Sequence, residues 1–510
     1  MGRTASDDLF RLVKSLHRSE KRYFRIFSKR HVIGDGNNYV RLFDAIDRQA
    51  EYNEKELLEK LPFLRPRLMA DQKNHLYWQV LRSLVVFSSG NSIGSQLRFR
   101  LSSFDFLYAK GLYVQCGKVI AKTKSLAIHY EKHLVVLECL EREKKLELQL
   151  FNLKSSPKKI ARINAEREAA IAKYTLENAY GRLSEEMFFI MSEEMAVRSE
   201  KNKKRSRAIL NDPLLQKAPA GGTLHSLFNY HRTLSLYCYS HSDFRGFYFH
   251  CRAIVKLMDA NRDVLAESPK NYIVAIQNLL IAQKNLRLYA ALFRTLRKLK
   301  LFEAGSESLR AQVFAITHDI ELTIYIDTGQ FEKGALLADA ITRGLDQYRN
   351  YLSSRYGLLF CFNVAYNLIG CEKFRAALNW LNKVINFPGA QSAMPDIFQT
   401  ANIISLIAHY ELGHSDLLDY RISAMTKTFR KKHALYELES LVLSILSRAV
   451  VAPPEKRKRL FAELAKKLAR LHRDPEKRRA FSSFDFLTWA KSKASEKTMS
   501  EVIRSRGKRS

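Results

Sequence analysis

The chain has 510 residues and carries 85 Lys and Arg against 52 Asp and Glu, a formal net charge of +33 at pH 7. That length exceeds what one hydrophobic core serves, so several domains or an extended repeat array are expected, and the positive surplus suits polyanions such as nucleic acid, anionic lipid or acidic protein. Only 11 Pro and 20 Gly interrupt long Leu-, Lys-, Glu- and Ala-rich stretches, which excludes a sheet protein; the six Cys form no C-x-x-C pair, which argues against a zinc ribbon or a disulfide framework. No apolar run is long enough to span a bilayer and the amino terminus lacks an apolar leader, so a cytoplasmic, reducing setting is expected, with the cysteines as small core residues.

Residues 7 to 30 read as one amphipathic basic helix, with Leu9, Phe10, Val13, Leu16, Tyr23, Phe24 and Phe27 as its apolar stripe. Ser6, Asp7 and Asp8 suit its start, because side-chain oxygens satisfy free N–H groups and negative charge complements the helix dipole. A helix from Tyr39 to Ala50 follows a Gly- and Asn-rich loop. Lys55 to Leu61 then predicts a short helix, Pro62 to Pro66 a turn, and Met69 to Phe87 a longer helix. Short helix, turn and basic helix outline a helix-turn-helix reader of DNA, with Arg65, Arg67 and Lys73 on phosphates. The other assignment for residues 1–95 is a helical cap, favoured by the lack of a distinctive base-reading pattern.

Residues 96–215 form the next region. Ser102-Ser103-Phe104-Asp105-Phe106-Leu107 returns unchanged at Ser482 to Leu487, and in each copy the first Ser is placed to cap a helix with Asp three residues on. One long helix is expected over 119–154 and another over 158–198, broken at Ser155-Ser156-Pro157. His129 and His133 share a face at i, i+4, but the H-E-x-x-H order is absent, so they read as a solvated pair and no metal site is assigned. Lys201, Lys203, Lys204, Arg205 and Arg207 follow as a basic cluster, beside a linker at 216–222.

Residues 223–432 interleave Tyr230, Tyr237, Tyr239, Phe244, Phe247, Tyr248 and Phe249 with Arg232, Arg245 and Arg252, a mixture that stacks bases and neutralises phosphates. At helical spacing most of those rings must be core, and only a surplus can meet a ligand. Basicity then sharpens through Arg430, Lys431 and Lys432, through Lys456, Arg457, Lys458 and Arg459, and through Lys477, Arg478 and Arg479. Residues 427 to 510 hold 23 Lys and Arg against 9 Asp and Glu. Within the basic carboxy-terminal region, 433–510, Leu460, Leu464, Leu468 and Leu471 lie on one side of a helix whose other faces are cationic. This is a last packed helix, a nucleic-acid arm or, least well supported for want of further aromatics, a membrane-surface helix.

A turn unit recurs. Tyr325 to Ile341 reads as a helix end, a tight turn at Gly329, and a return helix starting at Phe331 with the small Gly334 allowing close approach. The same arrangement is read at Tyr108-Gly111-Tyr113, at Ser242-Phe244, faintly at Lys284-Asn285-Leu286, at Gly370-Phe374 and at Gly413, in steps of about 41–45 residues from Ser242 onward, with about three such steps between Gly111 and Ser242. This unit resembles the tetratricopeptide repeat, which implies a right-handed α-solenoid of antiparallel helix pairs within an all-α fold. The step is longer than that family's, and Phe247, Tyr289 and Ser415 depart from its pattern. Ser15 to Phe24 followed by His31-Val32-Ile33-Gly34 also resembles a group of basic bacterial helical proteins that has no assigned activity.

No phosphate-cradling Gly-rich loop, G-x-S-x-G elbow or recognisable nucleophile and base pair occurs, so no enzyme, cofactor or small-molecule substrate is expected. The reading is a non-enzymatic, cytoplasmic helical-repeat protein that binds nucleic acid or a ribonucleoprotein through its basic surfaces, namely the fifteen Lys and Arg of the clusters at 201–207, 430–432, 456–459 and 477–479. The alternative is a scaffold holding a peptide or partner helix in a solenoid groove.

Overall fold

The computed structural model describes residues 6–29, 38–88, 92–193, 199–219, 222–265, 269–415, 418, 420–425, 437–473 and 483–507, and no strand occurs among them. The all-α expectation is met, and the means of joining the helices is largely uniform. At Gly111, Glu131, Ser242, Arg287, Gly329, Glu372 and Gly413 the backbone is left-handed. In each case that residue's N–H donates to the carbonyl three residues back, and the next N–H donates to the carbonyl five back from itself. At Gly329 these are Gly329 N to Ile326 O at 3.2 Å and Gln330 N to Tyr325 O at 2.8 Å. Both bonds satisfy carbonyls that a helix end leaves open.

Helices then start two residues after the left-handed position, at Tyr113, His133, Phe244, Tyr289, Phe331 and Phe374. The residue five places after it is buried in all seven turns: Cys116, Val136, Phe247, Leu292, Gly334, Ala377 and Leu418. From Ser242 to Gly413 the turns recur 41 to 45 residues apart. Those expected near Lys284 and at Gly370 lie at Arg287 and Glu372 instead. With that correction Tyr289 joins the aromatic residues that open return helices, and Leu292 takes the buried place.

Gly370 has a different task. It ends the helix Ser354–Gly370, and a β-carbon there would enter the ring of Phe331, which also stacks on Tyr366 with centroids 6.2 Å apart. Gly334 allows the close approach expected of it, because a β-carbon would collide with the buried Asn367 side chain.

By internal contacts the chain forms two units. The first comprises Met1–Glu186, Ala208–Tyr230 and Ala260–Glu267, the second Met187–Arg207, His231–Asp259 and Ser268–Ser510. In the first unit, the helices Asp8–Ser15, Arg18–Lys29, Asn38–Arg48 and Met69–Ser88 close around Leu9, Val13, Phe24, Phe43, Leu76 and Val80. Leu16 is extended, with ψ 137°, and splits the single helix expected over 7 to 30. Glu20 caps the second piece by accepting His17 N at 2.6 Å.

Farther on in the same unit, the left-handed Glu131 divides the long helix expected over 119–154 into Tyr113–His129 and His133–Gln149. His129 and His133 therefore share no helix face. His129 Nε2 lies 2.8 Å from Asp263, and His133 is buried 3.7 Å from Glu177. Ser102 sits inside the helix Ile93–Ala109, whose cap is Ser92, so it caps nothing.

In the second unit consecutive helices pack in succession from Pro269–Asn285 to Met499–Gly507. One core runs from Ala315 through Phe360, Ile404, Leu446, Leu464 and Trp489 to Met499. The carboxy-terminal segment folds back on the turn at Gly329: Ser500 Oγ donates to Gly329 O at 2.9 Å, and Phe484 packs on Tyr366 with centroids 4.5 Å apart. Five of the six cysteines are buried and none is paired; burial pushes Cys139 and Cys238 up to about 12, which leaves them as inert packing groups.

Two stability tests follow from these positions. Gly370→Ala, normally helix-favouring, is expected to cost about 1–3 kcal/mol through the Phe331 clash, whereas Glu372→Gly should gain up to about 1 kcal/mol by relieving a left-handed residue. Urea denaturation of both variants checks the pair. Glu439 is buried with Oε2 unpartnered, and desolvation, aided by Asp396, pushes its carboxyl from 4.5 up to about 6. Ionising it in the folded chain is therefore penalised as pH rises through about 6, and the penalty vanishes at pH 4, where folded and unfolded forms are both protonated. Glu439→Gln should gain on the order of 2 kcal/mol at pH 8 and nothing at pH 4.

Candidate nucleic-acid interface

The helix Glu200–Leu210 buries Asn202, Ser206 and Ile209, and this places Lys201, Lys204 and Arg207 on the opposite, exposed face. Those three make no ion pair among the described residues. Lys203 is held by Glu200 at 2.8 Å and Arg205 by Glu193 at 2.9 Å, so the cluster presents three cations outward rather than five. Ser206 Oγ lies 3.4 Å from His241 Nε2, which sets the helix beside the turn at Ser242.

That turn starts the helix Phe244–Ala260. Its buried side is Phe247, Cys251, Ile254, Val255 and Met258, and its exposed side carries Arg245, Phe249, Arg252 and Lys256 at i, i+4, i+7 and i+11. Of the aromatic run read from the sequence, Phe247 is core, while Phe249 stands out at 64% exposure between cations. His250 adds no charge here. Burial, helped by His231 with Nδ1 atoms 3.0 Å apart, pushes it down to about 4, so it is neutral at pH 7.

The helix Pro454–Arg473 is also strongly polarised. Phe461, Leu464, Ala465, Leu468 and Leu471 are buried, as the leucine spacing implied. The helical period gathers Lys456, Arg459, Lys466, Lys467, Arg470 and Arg473 on the exposed face, with Glu455 and Glu463 as the acids among them. Glu463 is engaged by Lys467 at 2.8 Å and by Arg448 at 3.6 Å. The other five cations make no ion pair among the described residues. Arg457 Nε donates to Ala452 O at 2.7 Å, and Lys458 lies 3.4 Å from Glu496, so these two turn toward the protein.

Lys456 and Arg457 share the first turn with Glu455, and the positive end of the helix dipole favours the acid and disfavours the two cations.

Sequence reasoning found Lys456 and Arg459 but passed over Lys466, Lys467, Arg470 and Arg473, although projecting the leucines on a helical period would have located them. Arg430, Lys431, Lys432, Lys477, Arg478 and Arg479 lie outside the described residues. Lys73, considered for phosphate contact, is instead tied to Glu54 at 2.6 Å and to Tyr52 Oη at 2.8 Å with its side chain 12% exposed. Met69–Ser88 spends its inner face on the first unit's core, while Arg65 and Arg67 remain exposed.

Among the described residues no group of three or more His, Cys, Asp or Glu could hold a metal ion, and no helix is long and apolar enough to cross a membrane. Comparison with protein-family models, with curated proteins and with solved structures finds no match.

Changing Lys456 to Glu should raise the melting temperature at low salt, because it replaces a charge that the dipole repels by one that it attracts, worth up to about 1 kcal/mol. The gain should shrink in 0.5 M salt; calorimetric melting at the two ionic strengths reads it.

Proposed function

We propose that the protein is a non-enzymatic, cytoplasmic α-solenoid of tetratricopeptide-like hairpins, right-handed as that resemblance implies, which binds nucleic acid or a ribonucleoprotein through its cationic helix faces. The observation that carries this reading is the outer face of Pro454–Arg473. Six cations and two acids, Glu455 and Glu463, spread over about 27 Å of helix, with five of the cations unpaired among the described residues. Such a row neutralises successive phosphates and releases their counterions. Phe249, set between Arg245 and Arg252, offers a ring on which an unpaired base can stack, which favours single strands or loops as targets.

A protein-binding scaffold is the second reading. It draws on the exposed Phe99, Phe106 and Val114 of the first unit, at 67%, 73% and 74% exposure.

With roughly six phosphates neutralised, the log of affinity for duplex should fall against the log of salt with a slope of about −5, and for single strands about −4. Changing Lys456, Arg459, Lys466 and Arg470 to Ser should flatten either slope by about 3 while far-ultraviolet circular dichroism stays unchanged. A slope near zero in the native protein, or a slope untouched by the fourfold change, removes this interface. Protein purified from cells should carry nuclease-sensitive material absorbing at 260 nm; a stoichiometric polypeptide that survives nuclease supports the scaffold instead.

A further inference from the structure

A cavity of about 620 Å³ lies in the second unit, between the Arg287 turn, the Gly329 turn and the carboxy-terminal helix Met499–Gly507. Its volume falls in the range of small-molecule sites. Ile326 and Tyr366, both nearly buried, line it together with Tyr289 and Ile503. Lys284, Arg287 and Arg504 supply positive charge at its walls. Two carboxylates also face it, and both are engaged. Asp327 pairs with Lys284 at 3.6 Å, and Asp485 caps its own helix, accepting Thr488 N at 2.8 Å.

Arg287 and Arg504 are exposed and make no ion pair among the described residues. Tyr289 opens the helix Tyr289–Lys300, whose first N–H groups add to the positive potential. The chemistry is therefore an apolar and aromatic recess with guanidinium groups at its edge. That combination matches a ligand with a planar ring at one end and phosphate at the other.

We propose that this cavity binds a nucleotide, with its phosphate between Arg287, Arg504 and Lys284 and its base against Tyr289, Ile326 and Ile503. The surrounding protein raises the Asp327 carboxyl above the ordinary aspartate value, chiefly by desolvation and against the opposing pull of Lys284, although its side chain still meets solvent. A carboxyl in that condition suits a hydrogen bond to a base edge better than repulsion of a phosphate. The site is separate from the cationic face of Pro454–Arg473 and goes beyond the polyanion reading. A free nucleotide and the phosphorylated end of a strand present the same chemistry.

The test titrates the full chain by calorimetry with adenosine monophosphate, with inorganic phosphate, and with a short oligonucleotide carrying either a 5′-phosphate or a 5′-hydroxyl. Adenosine monophosphate should bind at least ~10-fold more tightly than inorganic phosphate, which leaves the apolar wall unfilled. Arg287→Ser and Arg504→Ser should each weaken it at least ~10-fold. Serine already occupies the left-handed turn position at Ser242, so Arg287→Ser keeps the turn. The fourfold serine change on Pro454–Arg473 should leave nucleotide affinity unchanged while reducing strand binding, so failure of one reading is distinguishable from failure of the other. A preference for the 5′-phosphate that vanishes in Arg287→Ser, without binding of the free nucleotide, keeps the site and assigns it to strand ends. Absence of adenosine monophosphate binding at millimolar concentration, together with oligonucleotide binding that ignores the 5′-phosphate, overturns the proposal, as does affinity indifferent to both arginines or inorganic phosphate binding as well as the nucleotide.

Discussion

A helix end leaves carbonyls without partners, and the way this chain satisfies them organises most of its packing. One left-handed residue closes each of seven helix ends with the same pair of backbone bonds, sending the chain back along the helix it has just left. The residue five places on then falls against that helix, which is why it is buried in every instance although it ranges from Gly334 to Phe247. Three of the seven closures use Gly, and the rest carry Glu, Ser or Arg at a strain of roughly 1–2 kcal/mol each. The buried contact that follows outweighs that strain, so packing rather than local preference holds these turns.

The same constraint sorts the charge. Each helix presents one stripe inward, and cations fitting nowhere in that stripe are left on the far side. Many are then neutralised locally, as Lys203 is by Glu200 and Lys493 by Glu411 at 2.7 Å. On Pro454–Arg473 acids are few: Glu463 serves two cations, Glu455 makes no ion pair among the described residues, and five cations face solvent. Positive charge is tolerated there against the dipole at the helix start. A surface that opposes the fold's own electrostatics is better explained by what it meets than by what it stabilises.

The repeated hexapeptide shows how far context decides. Phe104 is core and Phe106 is 73% exposed in the first copy, which lies inside a helix. In the second copy Phe484 and Phe486 are both buried, and Asp485 rather than a serine caps the helix that follows. Identical phenylalanines thus end in two environments, because Tyr366 is present to cover Phe484 and no described ring covers Phe106.

Composition and apolar period by themselves determined that the chain is helical, that its helices turn back every forty-odd residues from Ser242 onward, and that basic residues gather at 201–207 and 456–459. These are local properties, carried by residues within one or two helical turns of each other. Only the tertiary structure decided that Arg287 and Glu372 rather than Lys284 and Gly370 make their turns. A glycine required by a neighbouring ring and a glycine required by its own backbone look alike in sequence, and a left-handed Glu leaves no mark at all. Tertiary packing also withdrew Lys73 into an ion pair and left Phe249 uncovered, because burial depends on elements far apart in the chain.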